Sequence, residues 1–156
     1  MKKLLLLTFI FTAFTMNAQE GPSVKFGLNS STLSGEGDSE SESGFYIGLG
    51  YEFELGGDIN FEPAVTYALV DDFEALNIPL LFKYGVSDEF SLLAGPQIMY
   101  LLEDVDDAAF GLDLAFGLSY DINDDFYLET RYGFQVSRDS GDAKLNTFNL
   151  GIGYRF

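Results

Sequence analysis

From Phe148 to Phe156, large apolar residues alternate with small or polar ones: Phe148, Leu150, Ile152, Tyr154 and Phe156 against Thr147, Asn149, Gly151, Gly153 and Arg155. A strand points successive side chains to opposite faces, so the pattern predicts a strand with one apolar face and one polar or crowded face. Similar alternation marks residues 24–29, 45–54, 59–69, 76–85, 90–102, 110–122 and 126–136, which with 145–156 makes eight strands. The stretch 90–102 is the least regular, because Leu93, Met99 and Leu101 fall on its polar face. Turn residues Leu55-Gly56-Gly57-Asp58, Val86-Ser87-Asp88-Glu89 and Asn123-Asp124-Asp125 are short breaks, and 30–43, 70–75, 103–109 and 137–144 are longer loops.

Short and long connections therefore alternate, as they do in an all-β, eight-stranded antiparallel up-and-down transmembrane barrel. Strands of about ten residues suit a tilted bilayer crossing. Aromatic positions support the same reading. Tyr51, Phe53, Phe61, Phe82, Tyr84, Phe90, Tyr120, Phe126, Tyr154 and Phe156 cluster toward the short-turn end. Phe45, Tyr67, Tyr100, Phe110, Tyr132, Phe134 and Phe148 cluster toward the other, with aliphatic residues such as Ile47, Leu49, Leu80, Leu114, Leu128 and Leu150 between. Two aromatic girdles around an aliphatic belt belong to a membrane protein. Pro63, Pro79 and Pro96 fall mid-strand and predict bulges or bends.

Residues 1–18 read as a cleaved signal peptide. Lys2 and Lys3 form a charged start, Leu4 to Met16 an apolar run too short to span a bilayer, and Ala18 a small residue at the cut. Residues 19–156 then form the barrel domain, exported and placed in the outer membrane with both termini periplasmic.

With 8 basic and 25 acidic residues the formal charge is −17, which disfavours nucleic acid as a partner. There is no Cys, which excludes disulfides and thiolate metal sites, and no His, which removes His-based triads, His-ligated zinc and the commonest general base. No cofactor, metal site or catalytic set is expected. The Asp121–Asp125 run fails as a calcium loop, with Phe126 where Gly is needed and Tyr132 where Glu is needed, and reads as a turn.

An eight-stranded barrel is just wide enough to be filled by its own side chains. The polar faces would send Lys25, Glu52, Glu62, Lys83, Asp113, Glu129, Arg131 and Arg155 into the bore as an interior charge network. Hairpin register predicts Lys83 near Glu62, Lys25 near Glu52 and Arg155 near Glu129. Such a network is either a structural plug or an ion path, and the narrow bore favours the plug. Outside, Glu36, Asp38, Glu40, Glu42, Asp71, Asp72, Glu74, Glu103, Asp104, Asp106 and Asp107 make the long loops acidic. They could bridge through calcium or magnesium to lipopolysaccharide, although charge runs are more often plain solvated surface.

Several runs taken together resemble the PorT-like family of Gram-negative outer-membrane β-barrel proteins, porin-like small barrels. These are 24–31 (VKFGLNSS), 61–67 (FEPAVTY), 77–84 (NIPLLFKY), 93–97 (LAGPQ) and 151–156 (GIGYRF). The resemblance implies an outer-membrane location, tolerance of the mid-strand prolines, and a terminal aromatic, Phe156, read by the barrel-assembly machinery. It implies no activity. The resulting expectation is a non-enzymatic barrel with a plugged interior and a structural or surface-interaction role, in contact with outer-membrane lipids. The alternatives are a narrow channel for small solutes or ions, a barrel enzyme, and a soluble periplasmic lipid-binding barrel with its apolar face inside.

Overall fold

A computed structural model describes residues 21–34, 39–70, 73–102, 110–138 and 144–156. The expected signal peptide and acidic positions 36, 38, 71, 72, 103, 104, 106 and 107 lie outside the described residues. The strands are β1 (Pro22–Ser34), β2 (Ser39–Tyr51, resumed at Phe53–Gly56), β3 (Ile59–Val70), β4 (Phe73–Gly85), β5 (Phe90–Leu101), β6 (Phe110–Asp121), β7 (Phe126–Arg138) and β8 (Lys144–Arg155). Each pairs antiparallel with its sequence neighbours, and β1 pairs with β8, so the sheet closes on itself. The two pieces of β2 form one stave. Gly50 opposes Ala64 and Phe53 opposes Phe61, so the register carries straight across Glu52.

The strands run past the hydrophobic alternation that marks them in the sequence. Ser30–Ser34 pairs with Ser39–Ser43, and Val70 pairs with Phe73, where loops were expected. A segment standing in water on both sides needs no apolar face, so alternation reports only the lipid-facing part of each strand. The prolines also behave differently from expectation. Pro63↔Leu80 and Thr66↔Asn77 are in step, as are Pro79↔Gln97 and Phe82↔Ala94, so no residue is inserted. The missing N–H groups leave short gaps in the ladder without shifting it. Gly95 lets the Leu80 carbonyl come close there; a methyl group in its place would strike that oxygen. The register shifts lie elsewhere, between Glu54 and Gly56 and between Leu112 and Asp113.

Facing follows the alternation. Phe26, Ile47, Leu49, Leu114, Leu128, Phe148, Leu150 and Ile152 point out of the barrel, 40–67% exposed. A continuous apolar band of this kind has no place in water and fits hydrocarbon. At the short-turn end the outward rings touch in succession: Tyr51 and Phe53 at 4.6 Å, Phe61 and Phe82 at 5.2 Å, Phe90 and Tyr120 at 5.1 Å, Phe126 and Tyr154 at 4.9 Å. No helix among the described residues is long and apolar enough to cross a membrane; the strands do the crossing.

Candidate functional site

The bore is filled in tiers, because inward positions on eight tilted staves meet at common heights. Toward the long-connection end lies an apolar tier of Tyr46, Ala68, Ala75, Met99 and Leu145. A second apolar cluster, Leu81, Leu93 and Ala115, lines one wall further down. Leu93 and Met99, irregular in the sequence pattern, thus supply apolar packing inside the barrel. The rest of the interior is largely polar, including Asn29, Thr66, Asn77, Gln97, Thr147 and Asn149, all buried. This excludes a lipid-binding cavity of the soluble-carrier type, which needs an apolar hollow.

The charged residues form a tier nearer the short turns. The Lys25 ammonium contacts the carboxylates of Glu62, at very short range, and Glu129, at 2.6 Å. Arg131 Nη1 donates to the second Glu129 oxygen at 3.1 Å. These four side chains are at most 3% exposed. Buried charge is tolerable only when paired, and here two cations and two carboxylates, from β1, β3 and β7, neutralise one another. Closer to the mouth, Glu52 meets Lys83 at 3.3 Å and the Arg155 guanidinium at 3.6 Å, and Arg155 also donates to Asp121 at 2.6 Å. Asp113 sits apart from this tier, where it accepts from Gln97 Nε2 at 3.0 Å.

All eight residues assigned to the bore are therefore inside or at its mouth, with partners other than those hairpin register suggested. Lys83 pairs with Glu52 instead of Glu62, Lys25 with Glu62 and Glu129 instead of Glu52, and Arg155 with Glu52 and Asp121 instead of Glu129. Register aligns neighbours along the wall: Lys83 opposes Asn60, and Lys25 opposes Gly48. Long side chains in a tilted barrel instead reach across the axis to staves that are not neighbours. Sequence reasoning overlooked Asp121 as a partner, although it shares the inward parity of Asp113. It also assigned no role to Tyr127. This buried ring has the Arg155 guanidinium carbon 4.4 Å from its centroid and the ammonium groups of Lys25 and Lys83 each at 5.7 Å. Cations over an aromatic face are attracted by its quadrupole.

The bore opens at the short-turn end into a vestibule of about 1300 Å³. Its lining holds Glu52, Glu54, Asp58, Asp88, Glu89, Asp121, Asp124 and Asp125 against Lys83 and Arg155. The Asp121–Asp125 segment is a turn, with Asn123 Oδ1 accepting from the amides of Asp125 at 3.0 Å and Phe126 at 2.8 Å. Among the described residues no group of three or more acidic side chains is arranged to hold a metal ion. The chemistry of the interior is charge compensation: acids and bases are held against one another, and the contents of the vestibule meet the floor of Glu52, Lys83 and Arg155.

Comparison with known proteins agrees with this architecture. A family model described as outer membrane protein beta-barrel domain matches residues 4–156. No curated protein sequence matches. Among solved structures, Ail, the attachment invasion locus protein of Yersinia pestis, superposes with a TM-score of 0.61 at 19% identity, over 86% of this chain and 97% of that one. Neisserial surface protein A gives 0.58 at 16% identity, over 86% and 97%. The outer membrane enzyme PagL gives 0.62 at 12% identity, over 86% and 99%. At these identities the likeness is one of fold.

Proposed function

The chain belongs to the outer membrane protein beta-barrel domain family, and from that premise we propose that it is a closed, non-catalytic barrel that presents its long-connection end at the cell surface. The observation that carries this reading is the buried tier of Lys25, Glu62, Glu129 and Arg131, backed by the apolar tier around Tyr46 and Met99. A bore occupied by paired charges and then by packed hydrocarbon offers ions no hydrated path. Membership of the family makes this an outer-membrane protein, and the short turns at the end carrying both termini support placing the termini in the periplasm. The motif runs that resemble the PorT-like family support that finer assignment.

A surface-interaction role draws support from two of its structural neighbours, described as a surface protein and as an attachment invasion locus protein. PagL, described as an enzyme, has the same fold, and fold alone does not confer activity. The absence of His leaves this chain without the usual general base. Its partners on this reading are outer-membrane lipids along the apolar band, the assembly machinery reading Phe156, and lipopolysaccharide or extracellular molecules at the acidic outer loops. Single-channel recording of the refolded protein in planar bilayers at neutral pH tests the closed bore. We expect no steady conductance, and a steady single-channel current would overturn the reading in favour of a narrow pore.

A further inference from the structure

We propose that Tyr46 and Tyr127 form a two-sided latch on the seam where the first and last strands close the barrel. Of nine tyrosines in the chain, these two are buried, at 2% and 1% exposure, and both lie over the β1–β8 junction. Part of the inward face of that junction carries no side chains. Gly27 opposes Gly151, and Gly153 follows on β8 opposite Lys25, so bare backbone forms a short groove there. The groove is filled from its two flanks. Tyr46, on β2, opposes Gly27 in register and continues beyond it: a methyl group on Gly27 would sit 2.8 Å from Tyr46 Cε1, and one on Gly151 would strike the Tyr46 hydroxyl. Tyr127, on β7, opposes Gly153, and a methyl group there would strike its ring. Its hydroxyl passes on to β1, donating to Ser23 Oγ at 3.3 Å. Each ring thus starts on a strand flanking the seam, crosses the nearer seam strand and ends on the farther one.

Further contacts run in the same direction. Asn29 Nδ2 donates to Asn149 Oδ1 across the seam at 2.7 Å, and Lys25 on β1 reaches past β8 to Glu129 on β7 at 2.6 Å. The seam is the natural place for such a device. Every other neighbouring pair is consecutive in the chain, whereas β1 and β8 come from its opposite ends. Their pairing carries the largest loop-closure entropy and forms with the least local help. Rings laid over glycines add apolar contact and fix the register at that junction.

The chain has no Cys, so defined cross-links can separate a seam latch from ordinary interior packing. We would combine Tyr46→Ala and Tyr127→Ala, then add either Leu28→Cys with Leu150→Cys across the seam or Leu92→Cys with Leu118→Cys across β5–β6; both are outward register pairs. Proteins are oxidised, refolded in detergent and followed by unboiled gel mobility and by unfolding rate in urea. We expect the double alanine variant to lose the compact band, or to unfold at least about tenfold faster. The seam cross-link should restore compact mobility and slow unfolding, and the β5–β6 cross-link should not. Equal rescue by both cross-links, rescue by neither, or wild-type behaviour of the alanine variant would overturn the latch.

Discussion

Lys25 shows how much a single interior residue carries. Its ammonium lies between Glu62 and Glu129 and is 1% exposed, while Arg131 holds the other side of Glu129. Replacing it by Met removes one charge and leaves Glu62 buried beside another carboxylate. Breaking a buried pair in this way costs about 3–5 kcal/mol, because the remaining charge has lost its compensation. Lys25→Met should therefore be strongly destabilising in urea unfolding of the refolded barrel. Adding Glu62→Gln should recover a large part of the loss, since Glu129 keeps Arg131. A double variant no more stable than the single one would show that the pairing is not what Lys25 supplies. The inward facing of Lys25 was legible in its alternation with Val24 and Phe26. Its partners were not, because they come from β3 and β7, neither of which adjoins β1.

The β2–β3 turn shows where local chemistry is enough. Gly56 and Gly57 have φ of +106° and +66°, and nothing lies within 4 Å of where a side chain would start. Space is open, so the demand is conformational: L-residues pay about 1–2 kcal/mol in the left-handed region, Asn less, β-branched residues most. Gly57→Val should lower stability by about that amount, and Gly57→Asn by little, as read from urea midpoints at unchanged slope. Equal midpoints for the two variants would mean that the turn imposes no such strain. The sequence marked this turn through its Leu-Gly-Gly-Asp tetrapeptide. It was less informative at the other end of the barrel, where Ser30–Ser34 and Ser39–Ser43 are paired strand without any apolar periodicity. The mid-strand prolines produce no bulge for a related reason. A proline removes one donor, but the register is held by the many pairs on either side of it.

For the barrel as a unit, the decisive property is which medium touches each face. Ser91 and Leu92 are successive residues of β5; the first lines the acidic vestibule and the second faces outward, 48% exposed. Leu128 on β7 faces outward in the same way. A lysine at a lipid-facing position near mid-depth costs about 2–4 kcal/mol, whereas one at Ser91 can extend into the vestibule that Glu52, Asp88, Glu89 and Asp121 also line and meet favourable charge there. Leu128→Lys should thus be far more destabilising than Ser91→Lys when both are unfolded from phospholipid bilayers. Similar losses for the two would mean that the outward face does not contact hydrocarbon.

The sequence by itself determined the number of staves, the face each turns to lipid and the identity of most of the charged residues that enter the bore. These are local consequences of a period of two in a chain whose backbone groups must all be paired within a closed sheet. Only the tertiary structure decided which charges meet, that the first and last strands share a glycine groove covered by Tyr46 and Tyr127, and that the acidic mouth ends on a floor of Glu52, Lys83 and Arg155. Those contacts join residues far apart in the chain, and strand tilt and closure set their heights, neither of which is written in any single segment.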